Sequence, residues 1–256
     1  MRKAGLLPFL FVILLFTGEC LGTDPYDNIA VPPGPYLSTY PYYFSSSELA
    51  DKNGNRISKD PDAKTYQNTL KFNYYDKTVL PNTSVLAILV PGGCTQMLGD
   101  HDCGIGDLLL VAGYWLVDDP DSKTWFGIRP SLSVPTGSYD KNRKANMGSN
   151  VWQVRPIVFF AKQFWKIDLE LTAKYNIFTK NDDTHTRQGN QVIFEEYAGY
   201  FIRPDLLLGF HFNGIWGQDT IVNGAPIHES GVQKYQAGPS IFKDFGNGFA
   251  ILIEGL

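Results

Sequence analysis

Cys94 and Cys103, in the stretch CTQMLGDHDC, are the residues whose type and spacing first suggest chemistry. His101 and Asp102 fall between them, so the stretch reads either as a metal site or as a disulfide across a short polar loop. A metal reading would have to be completed from elsewhere, and no second cluster of donors exists in the sequence. In an oxidising compartment the disulfide is the expected outcome. Catalytic constellations are thinner still. Of the four histidines, His101, His185 and His228 fall in polar connections, and only His211 lies inside a patterned segment. Ser131 and Ser133 share a polar face, but no spacing ties either to His211, and a hydrolase needs serine, histidine and an orienting acid together. There is no phosphate-binding glycine loop, no Gly-x-Ser-x-Gly, no His-Glu-x-x-His and no zinc spacing. DKNGNRISKD (51–60) has the oxygens of a calcium loop without its distal glutamate or flanking helices, and a β-turn about Asn53–Gly54 accounts for it more simply. No catalytic residue, metal or cofactor is expected, and the chain is not read as an enzyme.

What remains is charge placed by alternation. In KIDLELTAKYNIF (166–178), Asp168, Glu170 and Lys174 alternate with Ile167, Leu169, Leu171, Ala173, Tyr175 and Ile177. A period of two is an extended strand with one apolar and one polar face. Residues 124–134 place Arg129 on the polar face, 151–160 place Gln153 and Arg155 there, and 206–216 place His211 and Asn213. Arg155 and Glu170 would come from strands joined by the turn 162–165, which predicts that they approach pairing distance. Such charges either shape the field felt by a permeating solute or neutralise one another and plug the interior.

The elements that must position them are strands. Extended segments are predicted at 36–49, 67–80, 83–92, 106–117, 124–137, 151–161, 166–179, 191–203, 206–217, 230–243 and 248–256. Pro130 and Pro156 fall mid-strand, where proline cannot donate to the ladder. Segments 83–92 and 191–203 do not divide cleanly into faces, and Glu195 beside Glu196 has no account. Connections alternate: short at 81–82, 118–123, 162–165, 204–205 and 244–248; long at 51–66, the cysteine loop, 138–150, 180–190 and 219–230. Antiparallel neighbours with tight turns on one rim and excursions on the other are the outer-membrane barrel pattern. Alternation by itself fits a soluble lipocalin-like barrel equally well, with the faces exchanged. The charged face, the strand count above eight, and Trp115, Trp125, Trp152, Trp165 and Trp216 near strand ends favour an all-β, antiparallel transmembrane β-barrel of about twelve strands.

Residues 1–22, MRKAGLLPFLFVILLFTGECLG, read as a secretory signal peptide: a basic start, an apolar stretch too short to span a bilayer, and a small-residue exit before Thr23. A membrane-anchoring helix is the alternative. Cys20 does not indicate lipidation, because Glu19 precedes it. Without Arg2, Lys3 and Glu19 the chain has 20 basic and 25 acidic residues, a net of −5, and no basic patch for nucleic acid. Residues 23–256 form one domain. Eleven strands are odd in number where bacterial barrels are even. Either Tyr36–Leu49 is not a barrel strand or a twelfth strand is missing, and the expectation is that the sequence is truncated at its C-terminal end.

CGIGDLLLVAGYWL (103–116) followed by RPSLSVPTGSYD (129–140) resembles the outer-membrane transporters of the MetA-pathway-of-phenol-degradation family. GYFIRPDLLLG (199–209), YQAGPSI (235–241) and the Asp168–Tyr175 strand with its TKNDD exit extend the likeness over roughly residues 30–256. The resemblance implies a Gram-negative outer-membrane barrel for passive uptake of small organic compounds, aromatic or hydrophobic ones, with no catalytic residues. The partners would be outer-membrane lipid and small organic solutes, and the protein a monomer. A barrel that conducts nothing and displays its loops is the rival expectation.

Overall fold

The computed structural model describes the backbone of residues 11–17, 25–50 and 56–255, and the side chains of 25–46 and 62–255. Every regular element among these is a strand. They are β1 (Phe11–Thr17), β2 (Gly34–Ala50), β3 (Arg56–Asp76), β4 (Ser84–Met97), β5 (Asp100–Ile105), β6 (Leu108–Asp119), β7 (Thr124–Ile128), β8 (Ser131–Val134), β9 (Gln153–Arg155), β10 (Ile157–Phe164), β11 (Ile167–Phe178) and β12 (Thr186–Arg187). After them come β13 (Gln191–Arg203), β14 (Leu206–Gly217), β15 (Ile221–Val222), β16 (Ala225–Pro226), β17 (Gln233–Gly246) and β18 (Phe249–Gly255). From β2 to β18 each span pairs antiparallel with the next: β2–β3–β4–β6, then β7 with β8, β10 with β9, then β11–β13–β14–β17–β18. Eleven spans alternate in direction, so β2 and β18 run the same way. β1 lies between them, parallel to both, and the pairings form an unbroken ring. Ring closure leaves no edge with unpaired N–H and C=O groups, which hydrocarbon would not solvate. β1 lies within residues 1–22, the segment expected to be removed as a signal peptide, so the ring is closed by residues that the exported chain is expected to lose. The rest of that segment and the Asn53–Gly54 turn lie outside the described residues.

The expected short rim is present at 77–83, 120–123, 165–166, 204–205 and 247–248. Asn247 and Gly248 carry φ of 55° and 79°, the left-handed pair a two-residue hairpin turn needs. On the other rim the expected loop 51–66 is mostly strand, because β2 and β3 stay paired well past their neighbours. β5 continues the β4 hairpin above β6, and the small sheet β12–β15–β16 ties together two of the long connections. Pro130 and Pro156 fall in the gaps between β7 and β8 and between β9 and β10, on neighbouring spans. Their ladders break where a donor is missing, while both carbonyls still accept, from Ala112 and Tyr175.

Alternation sorts the faces. Phe126, Ile128, Val154, Val158, Tyr175, Ile177, Leu208, Phe210 and Ile253 are exposed on the outer surface. Asp168, Glu170, Thr172, His211, Asn213 and Glu254 are buried inside. Glu195 faces inward, and Glu196 sits on the outer face between Leu171 and Phe212 of the flanking strands, which is why 191–203 has no clean apolar face. The tryptophan expectation holds only in part. Trp152, Trp165 and Trp216 are exposed, but Trp115 and Trp125 are turned inward and buried. They pack with Ile29, Val85, Phe159 and Ala161 into an apolar layer near the short rim. Gly127 makes room for it: a Cβ there would lie 2.5 Å from the Phe159 ring.

Candidate functional site

Residues 25–31 precede β2 and belong to no strand, yet Asn28 and Ile29 are buried in the barrel interior. Inside a ring the backbone of such a segment loses both water and ladder partners, so side chains must satisfy it. Glu170 accepts hydrogen bonds from the amides of Tyr26 and Asn28, the latter at 2.7 Å. Trp115 Nε1 donates to the Asn28 carbonyl at 2.9 Å, and Arg129 Nη1 to that of Asp27 at 2.7 Å. Asn28 Nδ2 donates to Thr172 Oγ1 at 3.0 Å and its Oδ1 accepts from Arg129 Nη2 at 3.0 Å. The Asp27 carboxylate pairs with Lys71 at 3.2 Å and Arg129 at 3.1 Å. The Tyr26 ring rests 5.2 Å from that of Phe242. The segment is a plug, with its carboxylate on a cationic wall and its amides on a glutamate.

On the long-loop side of the plug lies a cavity of about 580 Å³. Lys71, Arg129, Arg155 and Lys174 line it together with Asp27, with Tyr40, Tyr42, Thr65, Thr69, Ser131 and Ser133, and with an apolar wall that includes Val85, Leu89, Leu109, Val111 and Ile157. Lys174 pairs with Glu195 at 2.5 Å. A larger concavity, about 850 Å³, is a groove on the outer face floored by Phe72, Tyr74, Leu86, Ile88, Leu110 and Pro130. Its apolar lining suits acyl chains rather than a polar solute.

Of the residues expected to line a pore, Arg129, Arg155 and Lys174 reach the cavity. Gln153 is on the inward face of β9. Asp168, Glu170, His211 and Asn213 face inward but are packed away from the cavity, with His211 in contact with Glu254 and its ring 4.7 Å from that of Tyr197. The predicted approach of Arg155 to Glu170 does not occur. The pairing register sets Glu170 opposite Ala161, and Arg155 beside Asn176, to which its Nε donates at 2.8 Å. Six residues of strand, about 20 Å, separate Asn176 from Glu170. Asp27, Asn28, Lys71, Trp115 and Phe159 escaped sequence reasoning: the plug has no periodicity to betray it, and inward aromatics resemble lipid-facing ones.

Above the cavity, 138–150 is clamped to the β4–β5 hairpin. Cys94 and Cys103 are opposite one another in that hairpin and joined, their Cα atoms 4.1 Å apart. Asp102 accepts from the Met147 amide at 2.9 Å and from Arg143 Nη1 at 2.8 Å. The Met147 amide, ahead of Ser138 and Arg143, holds the Asp102 carboxyl below the usual carboxylate range. Asp107 accepts from Gly137 and Ser149 amides, and Asp100 from that of Lys144. Asn146 and Met147 thereby form part of the cavity lining.

A closed ring of strands, antiparallel except at β1, with an apolar outer face, a charged interior and one rim of tight turns defines a transmembrane β-barrel of the outer-membrane type. Residues 46–254 match the family described as "Putative MetA-pathway of phenol degradation", and the chain belongs to that family. It is similar in structure to an outer membrane channel of Pseudomonas putida F1, with a TM-score of 0.78 and 23% identity over 88% of this chain and 87% of that one. No curated protein matches it.

Proposed function

We propose that this protein is a passive outer-membrane channel for small organic solutes, held shut at rest by residues 25–31. The observation that carries the reading is a cavity of about 580 Å³ whose floor is a non-strand segment, attached through side-chain contacts that can be exchanged. That volume is in the range of small-molecule sites. A solute would pass the loops 138–150 and 180–190, rest against Lys71, Arg129, Arg155 and Lys174, and leave when the plug swings aside. The family's description and the apolar wall support aromatic or hydrophobic solutes.

Removing one partner of a largely buried ion pair leaves the other uncompensated, at about 3 kcal/mol or more. Asp27→Ala is therefore expected to raise the open population roughly a hundredfold. Single-channel recording on the refolded protein tests it: frequent open steps in the variant against rare ones in wild type. Silence in both supports the rival, a barrel that conducts nothing, which the packing of Asp168, Glu170, Tyr197, His211 and Glu254 on the β11–β18 side favours.

A further inference from the structure

We propose that Arg155 and Ser131 form a seat for the carboxylate of a small apolar acid inside the cavity. Three of the four cations there already have carboxylate partners: Lys71 and Arg129 hold Asp27, and Lys174 holds Glu195. Arg155 is different. Its hydrogen bond runs from Nε to the neutral Asn176, and among the described residues it has no ion pair within 4.0 Å. Ser131 stands directly opposite it in the β8–β9 register, 5% exposed, and its Oγ has no hydrogen-bond partner. Both line the cavity.

A partly buried guanidinium and a buried hydroxyl side by side are a donor set lacking its acceptor. A planar carboxylate matches the guanidinium fork, and charge-assisted bonds are the strong ones. The rest of the cavity sets the body of the ligand. Val111 and Leu109 lie along β6 on the Ser131 side, and Ile157 follows Arg155 across Pro156, so an apolar ring or short chain fits beside the seat. The occupant is a small amphipathic monoanion, such as an arene carboxylate. This deepens the channel reading and depends on it for its meaning in transport. The seat also adjoins Arg129, so a bound anion is placed to compete with Asp27 for that side chain.

Calorimetric titration of the detergent-solubilised protein tests the seat, with benzoate as probe and benzyl alcohol, benzylamine and acetate as controls for charge, its sign and the ring. Benzoate is expected to bind about tenfold more tightly than each control. Arg155→Gln should abolish the advantage over benzyl alcohol and benzylamine and leave benzyl alcohol unchanged; Ser131→Ala should weaken benzoate severalfold. Should Arg155→Gln not refold, Arg155→Lys keeps the charge without the fork, and a reduced preference for benzoate is expected from it. Equal binding of benzoate and benzyl alcohol to wild type, or a preference that survives at position 155, overturns the proposal. The channel reading fails separately: a silent Asp27→Ala barrel refutes it whatever benzoate does, whereas open steps without benzoate preference refute only the seat.

Discussion

At the scale of single residues, the plug depends on two carboxylates with opposite tasks. Asp27 neutralises Lys71 and Arg129 from the plug side, and Glu170 accepts plug amides from the wall. Neither role follows from residue type, since a strand glutamate facing inward reads only as a polar lumen residue. Asp102 gives a pH prediction. Its carboxyl is held below the ordinary range in the folded protein, so its contribution to docking 138–150 is full above the unfolded carboxylate pKa and is lost as pH falls through the depressed folded value. Hydrogen-exchange protection of the Met147 amide should be constant from neutral pH down to the ordinary carboxylate range and collapse below it. Asp102→Asn should remove it already at neutral pH. Protection unchanged in that variant would show that other bonds hold the loop.

Among elements, the strand reading followed from period two and turn residues, and all eleven predicted spans exist, most with boundaries shifted by a few residues, while β3 begins at Arg56 rather than at 67, inside the expected loop. Register was another matter. The Arg155–Glu170 approach was argued from adjacency of two strands, but position along a strand decides contact, and pairing set them turns apart in height. Glu195 and Glu196 show the same limit from the other direction. Adjacent residues must face opposite ways, so one finds Lys174 inside and the other is left among Leu171, Phe212 and Ala198 outside. A carboxylate on the lipid face destabilises a barrel by less than a lysine would there, up to about 2 kcal/mol. Glu196→Leu is expected to stabilise the barrel by that order in urea titrations in lipid vesicles, and a destabilised variant would show that Glu196 has a partner in the membrane.

For the whole molecule, the ring divides its tryptophans into two populations. Brominated lipids should quench emission from Trp152, Trp165 and Trp216, which lie outside, and spare Trp115 and Trp125, which lie within; single Trp→Phe variants assign each share. Uniform quenching would contradict the inward layer. Alternation of apolar and charged residues, the unequal rims and the number of strands pointed, read along the chain, to an all-β membrane barrel, because each strand and turn announces itself in its own local sequence. Tertiary structure alone decided that the interior is stoppered, which charges meet, and that Trp115 and Phe159 point inward. Those outcomes depend on how far each strand slides against its neighbour and on what a seven-residue segment finds inside the ring, and neither quantity is written in any stretch of local sequence.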